Sequence, residues 1–334
     1  MNLPNKTLTR KDFQTDQDVR WCPGCGDYSI LAALQKILPE LGRRKEDIAI
    51  VSGIGCSSRM PYYVDAYGFH TIHGRAFAVA TGLKAANPNL TVFVVTGDGD
   101  ALSIGGNHLI HALRRNVDIN ILLLNNQIYG LTKGQYSPTS EIGKMTKSTP
   151  IGSIDRPFAP LQVALGARAT FVARTADREP KHMADMMLRA AAHKGTSFLE
   201  IYQNCNIFND GAFETLTERD TRDDARVILE EGAPLVFGAN QSKAIVQRGF
   251  DIEVVDRASV TDDQILRHSE KGPAAYHHLL AELSAPTPFG VLRAVEEQTY
   301  DEALTAQVDR ELARKGKGDL RALLTGRDSW VVEA

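Results

Sequence analysis

The chain has 334 residues, 43% of them hydrophobic and 24% charged, with a formal net charge of −3. That length allows one large or two smaller domains, and the charge balance gives no reason to expect nucleic acid or an anionic membrane as a partner. No apolar run approaches the roughly 18 residues of a membrane span, and the opening MNLPNKTLTRKDFQTDQDVR has no signal-peptide core, so the expected setting is cytoplasmic, where structural disulfides are rare.

Residues 1–20 read as an N-terminal arm. RWCPGCGDYSI (20–30) then places Cys22 and Cys25 three apart among a proline and two glycines. Such a pair can make a redox disulfide, half a zinc knuckle or half an iron–sulfur site. Asp27 is placed to cap a helix whose apolar face carries Ile30, Leu31, Leu34, Ile37, Leu38 and Leu41, with Gly42 as its stop. GRRKED (42–47) has the charge to meet an acidic partner, although such runs are usually solvated faces. IAIVSG (48–53) is a short β-rich run suited to a strand buried on both faces. A loop with Cys56 follows, then a small-residue helix, RAFAVATGLKAAN, ended by Pro88. LTVFVVTGDGD is a second buried strand, followed by a helix over 103–115 and a third strand, INILLLNNQ.

A Gly/Ser/Thr/Pro segment, 128–157, interrupts this rhythm, and loops of that length inside a domain are commonly functional or mobile. A helix near 158–166, a strand TFVARTA, a helix PKHMADMMLRAAAHKG and a strand SFLEIYQNC complete the alternation. The pattern predicts an α/β fold, a mainly parallel sheet covered by helices on both faces. Ligands in such sheets sit beyond the carboxyl ends of the strands. The loops 54–61, 97–100, 125–136 and 203–210 should therefore gather at one edge. Past residue 215 a charged stretch, TERDTRDDARVILEEG, leads into a mixed tail. Residues 21–214 are read as the cofactor-binding domain and 215–334 as a C-terminal extension or small domain that wraps a partner or shields the site.

Gly97-Asp98-Gly99 ends one strand and Asn125-Asn126 the next. The glycine turn lets backbone approach a ligand while Asp98 supplies a hard carboxylate. An asparagine amide oxygen and the Ile128 carbonyl add two more hard donors. Three oxygens on one side of an octahedron suit magnesium that also takes phosphate oxygens and water. Each half alone is a common tight turn or strand end. Together, with 25 residues between Gly99 and Asn125, they resemble the thiamine diphosphate-binding signature. That resemblance implies Asp98, Asn126 and the Ile128 carbonyl as magnesium ligands. SGIGCSS lacks the third glycine of a dinucleotide loop, and no GxxxxGK[ST] string is present.

The other two cysteines, Cys56 and Cys205, also lie in Gly-, Ser- or Asn-containing stretches at the edges of apolar runs. This leans towards one four-thiolate site rather than buried structural thiols. Zinc takes four thiolates, and so does a 4Fe–4S cluster. WCPGCGDYSIL, VSGIGCSSRMPYY, HTIHGRAFAVATGLK, GDGD, NNQIYGLTKGQYSPT and YQNCNIFND together resemble the β subunit of 2-oxoacid:ferredoxin oxidoreductases over about residues 18–212.

By this resemblance Cys22, Cys25, Cys56 and Cys205 hold one 4Fe–4S cluster. Ile54, Gly55, Cys56 and Ser57 form a loop against thiamine diphosphate, and Gly97, Gly99, Asp100, Gly130 and Leu131 border the cofactor. Arg59 meets the substrate carboxylate, a role that suits its guanidinium, and His73 contacts the diphosphate or the reacting carbonyl. His70, His108 and His111 are read as structural, and LTKGQYSPT as a loop closing over substrate. The implied reaction is coenzyme A-dependent oxidative decarboxylation of 2-oxoglutarate or pyruvate to acyl-CoA and CO2. Electrons would leave through the cluster to ferredoxin, and reversal would fix CO2. The glutamate that activates the aminopyrimidine is expected on a larger α subunit, in a heterodimer or a dimer of heterodimers. Two other readings stay open: a redox-silent thiamine decarboxylase or synthase with structural zinc, and an electron-transfer or scaffold subunit with degenerate cofactor binding.

Overall fold

A computed structural model describes residues 8–333; residues 1–7 of the expected N-terminal arm lie outside the described residues. Eight strands make the main sheet: β1 (Ile48–Ser52), β2 (Tyr67–His70), β3 (Thr91–Gly97), β4 (Asn120–Asn125), β5 (Phe171–Ala176), β6 (Ser197–Tyr202), β7 (Arg226–Leu229) and β8 (Thr287–Ala294). They lie in the order β2-β1-β3-β4-β6-β5-β8-β7, and every pairing is parallel except β8 with β5. The sequence-predicted strands are β1 and β3 to β6.

Continuous apolar runs form these central strands because both faces are covered. In β3, Val92 and Val94 point into one core while Phe93 and Val95 point into the other, and in β4 Ile121 and Leu123 alternate in the same way with Leu122 and Leu124. One core takes the helices Ala76–Ala86 and Gly106–Arg115 through Phe77 and Leu109; the other takes Asp27–Ile37 and Pro180–Ala192 through Ile30, Leu34, Met183 and Met187. The edge strand β2 is exposed along its length, so no buried apolar run marks it.

Two local expectations change. Gly26 occupies the cap position of the first helix and Asp27 is its first helical residue, because the Gly26 N–H bonds the Asn204 carbonyl at 3.1 Å and fixes the chain one residue earlier. The helix expected over 103–115 begins only at Gly106, and a separate short helix, Asp98–Leu102, precedes the expected range. The break follows from close backbone contact: a Cβ on Gly105 would sit 2.4 Å from the Asp100 carbonyl oxygen.

Beyond residue 214, β7 and β8 extend the main sheet and a small three-stranded sheet covers residues 236–256. The helix Tyr300–Lys315 is anchored at its base, where buried Asp301 accepts the Asp118 N–H at 3.1 Å. From there the chain runs outward as an arm with Leu320, Leu323, Leu324 and Trp330 exposed. No helix among the described residues is long and apolar enough to cross a membrane.

Candidate cofactor and cluster site

The parallel register sets the carboxyl ends of β1, β3, β4 and β6 side by side, with Val95 opposite Ser52, Leu124 opposite Gly97 and Tyr202 opposite Asn125. The four loops that follow them meet there, as the sequence predicts. They enclose a cavity of about 580 Å³ lined by Ile54, Gly55, Cys56, Ser57, His73, Gly97, Asp98, Gly99, Asp100, Asn126, Ile128, Gly130 and Leu131. All thirteen sequence-predicted cofactor and magnesium residues are therefore at one place.

Asp98 opens the turn after β3 and is 2% exposed. Burial raises its carboxyl to about 6, against the pull of hydrogen bonds from Ser137 and Thr139. The Thr139 hydroxyl donates to Asp98 Oδ2 at 2.6 Å, so the segment 128–157 folds back under the GDG turn. A buried carboxylate held up by desolvation is a place where a divalent cation restores the charge balance. Gln127 takes a left-handed φ of 56°, which turns the backbone between the two proposed oxygen donors Asn126 and Ile128. Gly99 packs under Tyr129: a Cβ there would lie 2.1 Å from the ring, and the Tyr129 hydroxyl donates to the Gly99 carbonyl at 3.1 Å. Gly99→Ala is expected to displace Tyr129 and weaken thiamine diphosphate binding roughly tenfold or more, a cost like that of disturbing a metal ligand's support; calorimetric titration checks it.

Asp100 lines the cavity with a carboxylate already taken by the chain. Its Oδ1 accepts the Ile54 N–H at 3.0 Å and the Gly74 N–H at 2.7 Å, and its Oδ2 accepts the Thr96 hydroxyl at 2.8 Å. It thereby ties the Cys56 loop to the loop bearing His73, whose Nε2 lies 3.5 Å from Asp100 Oδ1. Gly53 is required beside it, since a Cβ there would fall 2.0 Å from Asp100 Oδ2.

A second cavity, of about 930 Å³, shares a wall with the first and is lined by Cys22, Cys25, Cys56 and Cys205 together with Arg59. Three contacts collect the cysteines from distant parts of the chain. Trp21 Nε1 donates to the Cys56 carbonyl at 2.7 Å, Asn206 Nδ2 donates to the Pro23 carbonyl at 2.7 Å, and the Gly26 N–H bonds Asn204 beside Cys205. All four thiols are free. Among the described residues no three of their sulfurs lie within 4.8 Å of one another. Gly130 keeps that wall open: its Cβ position lies 3.5 Å from Cys56 Sγ and 3.6 Å from Cys205 Sγ. Burial, and next the charge of Asp27, push the Cys56 thiol up to about 12 and raise Cys25 too. Ligation as thiolates therefore needs a bound cation to draw the protons off.

Arg59 is steered by its Nε donating to the Tyr63 hydroxyl at 2.9 Å, and it borders the cysteine cavity and an adjoining one with Leu131. Three residues here are given no part in the site by the sequence reading, which takes Asp27 only as a helix cap. Asp27 and Gln203 line both main cavities, and Thr139 grips Asp98. Burial pushes the Asp27 carboxyl up to about 7, partly offset by a hydrogen bond from the Cys25 thiol beside it.

Comparison with known proteins places this geometry. Residues 53–201 match the thiamine pyrophosphate enzyme, C-terminal TPP binding domain. The chain is 54% identical over 331 residues to the 2-oxoglutarate oxidoreductase subunit KorB of Mycobacterium tuberculosis, covering 97% of this chain and 88% of that one. It belongs to the β subunits of the 2-oxoacid:ferredoxin oxidoreductases. A further β subunit, from 2-oxoacid:ferredoxin oxidoreductase 1 of Aeropyrum pernix, is 44% identical over 198 residues, 59% of this β subunit and 62% of the archaeal one. The 2-oxoglutarate:ferredoxin oxidoreductase from Magnetococcus marinus, solved with 2-oxoglutarate, coenzyme A and succinyl-CoA bound, superimposes with a TM-score of 0.76 at 34% identity over 96% of each chain. As a β subunit, this chain is part of a thiamine-dependent oxidoreductase and implies an α partner.

Proposed function

We propose that this β subunit carries the decarboxylating and electron-accepting half of a 2-oxoglutarate:ferredoxin oxidoreductase. The supporting observation is the wall shared by the two cavities, in which Cys56 and Gly130 face both sides. Asp98, Asn126 and the Ile128 carbonyl hold magnesium, and the loop Ile54–Ser57 with Gly97, Gly99 and Gly130 cradles thiamine diphosphate. Cys22, Cys25, Cys56 and Cys205 hold the 4Fe–4S cluster. Bound there, thiamine diphosphate would supply the electron sink for loss of CO2 from a 2-oxoacid, and a cluster held by the cysteines would supply single-electron transfer towards ferredoxin.

The chain's own residues orient and exclude. Arg59, in the adjoining cavity with Ile54, Gly55 and Leu131, would meet the substrate carboxylate, and His73, on the Asp100 scaffold, would contact the diphosphate or the reacting carbonyl. The α subunit completes the pocket with the activating glutamate and binds coenzyme A, in a heterodimer or dimer of heterodimers in the cytoplasm. Residues 21–214 hold the cofactors, and 215–334 with its exposed arm reach the partner. 2-Oxoglutarate is preferred over pyruvate, a reading supported by the Mycobacterium tuberculosis subunit named for it and the Magnetococcus marinus enzyme solved with it bound, and CO2 fixation is the same reaction driven by reduced ferredoxin.

The test is low-temperature EPR of the anaerobically purified αβ complex before and after dithionite, with Cys56→Ser alongside. A spin-half signal that appears on reduction and is lost or altered in the variant is expected. A silent spectrum with stoichiometric zinc would overturn the reading and leave a thiamine enzyme whose cysteines hold only the fold.

A further inference from the structure

Gln203 follows β6 at the junction of the two cavities and is 1% exposed. Its backbone N–H is fixed on the Asn125 carbonyl at 2.9 Å. Its side-chain oxygen accepts Asn126 Nδ2 at 2.8 Å. Its side-chain amide donates to Cys25 Sγ at 3.3 Å and to the Asn204 carbonyl at 2.6 Å. The chemistry permits only this orientation. A reversed amide would set its oxygen against two acceptors, the Asn204 carbonyl and the sulfur, and its NH2 against the NH2 of Asn126. Asn126 is fixed in turn, since its Oδ1 accepts the Ile128 N–H at 3.1 Å on the other side. One buried side chain thus touches a residue of the magnesium set with its acceptor and a residue of the cysteine set with its donor.

We propose that Gln203 is a positioning residue with two separable tasks: its N–H tunes the reduction potential of a cluster held by Cys25, and its carbonyl holds Asn126 for the metal. The inference rests on the proposed assignment of the cysteines and Asn126 above. A donor to a ligating sulfur stabilises the reduced, more negative cluster and so raises its potential. A donor–acceptor contact to a metal ligand fixes that ligand's orientation, and losing such support commonly costs 10–100-fold in metal affinity, by order of magnitude.

Two variants of the full αβ complex separate the tasks. Gln203→Met keeps length without donor or acceptor; Gln203→Glu keeps the acceptor for Asn126 and loses the amide donor. In EPR-monitored redox titration both are expected to lower the reduced-to-oxidised ratio at a fixed poise about tenfold, which is 59 mV for one electron. In calorimetric titration with Mg2+ and thiamine diphosphate only Gln203→Met is expected to bind about tenfold or more weakly. An unshifted potential in a cluster-replete Gln203→Met complex overturns the proposal. So does equal weakening of cofactor binding in both variants, or cluster loss in both, which would make Gln203 a support of the fold alone. Wild-type complex lacking iron and acid-labile sulfide would instead sink the cluster assignment itself, before either variant is read.

Discussion

Asp98→Asn is expected to weaken Mg2+–thiamine diphosphate binding more than about a hundredfold, beyond the ~10–100-fold cost of disturbing an outer-shell partner, and to remove 2-oxoacid decarboxylation with it. The carboxylate is 2% exposed and is gripped by the Thr139 hydroxyl at 2.6 Å. An amide of the same shape keeps one oxygen there but loses the charge that draws a hard cation away from water. Thr139 Oγ1 also reaches Asn125 Oδ1 at 3.0 Å, so in the variant it retains an acceptor and the segment around it has no reason to unfold. Calorimetric titration with the cofactor measures the loss. Iron and sulfide content unchanged from wild type would show that the neighbouring cysteine cavity is intact. Cofactor affinity equal to wild type would remove Asp98 from the metal site.

The cofactor pocket was readable because its residues are tied to strand ends. A run such as LTVFVVTG must end where its apolar alternation ends, and whatever follows is delivered to the carboxyl edge; GIGC and QNC directly follow β1 and β6, and GDG and NNQ start on the last residues of β3 and β4. The polar supports behind them leave no such mark. Thr139 is one hydroxyl in a Ser/Thr-rich stretch, and only the fold-back of residues 128–136 brings it to Asp98. Gln203 reads as the first loop residue after a strand, although it is among the most buried polar groups in the chain. Asp27 has the position of a helix cap by local rules, yet a contact 178 residues away, Gly26 to Asn204, moves the cap to Gly26. β2 and β8 were missed for opposite reasons: one is an exposed edge, and the other, TPFGVLRA, lies in a tail without a repeating strand–helix rhythm to announce it.

Glu200→Leu is expected to destabilise the chain by about 3–5 kcal/mol, the cost of leaving a buried charge without its partner. Glu200 on β6 and Arg174 on β5 are register neighbours, 0% and 5% exposed, joined through Nε and Oε2 at 2.8 Å. The guanidinium also lies over the Tyr202 ring, 5.0 Å from its centroid. Removing Glu200 strands that cation in the sheet. Replacing both residues, as Arg174→Met with Glu200→Leu, removes the stranded charge, and a well-packed apolar pair is often neutral or better. The double variant should therefore melt closer to wild type than Glu200→Leu does, giving a large coupling in a double-mutant cycle. Cofactor affinity should not recover with it. Glu200 Oε1 accepts Asn125 Nδ2 at 2.8 Å, and the Asn125 amide oxygen faces the Thr139 hydroxyl that grips Asp98. Both Glu200→Leu variants cut that chain at the same link. Thermal melts and Mg2+–thiamine diphosphate titrations on wild type, Arg174→Met, Glu200→Leu and the double variant separate the effects: restored stability with still-weakened cofactor binding is the expected result, and parallel recovery of both would mean that Glu200 serves only the fold.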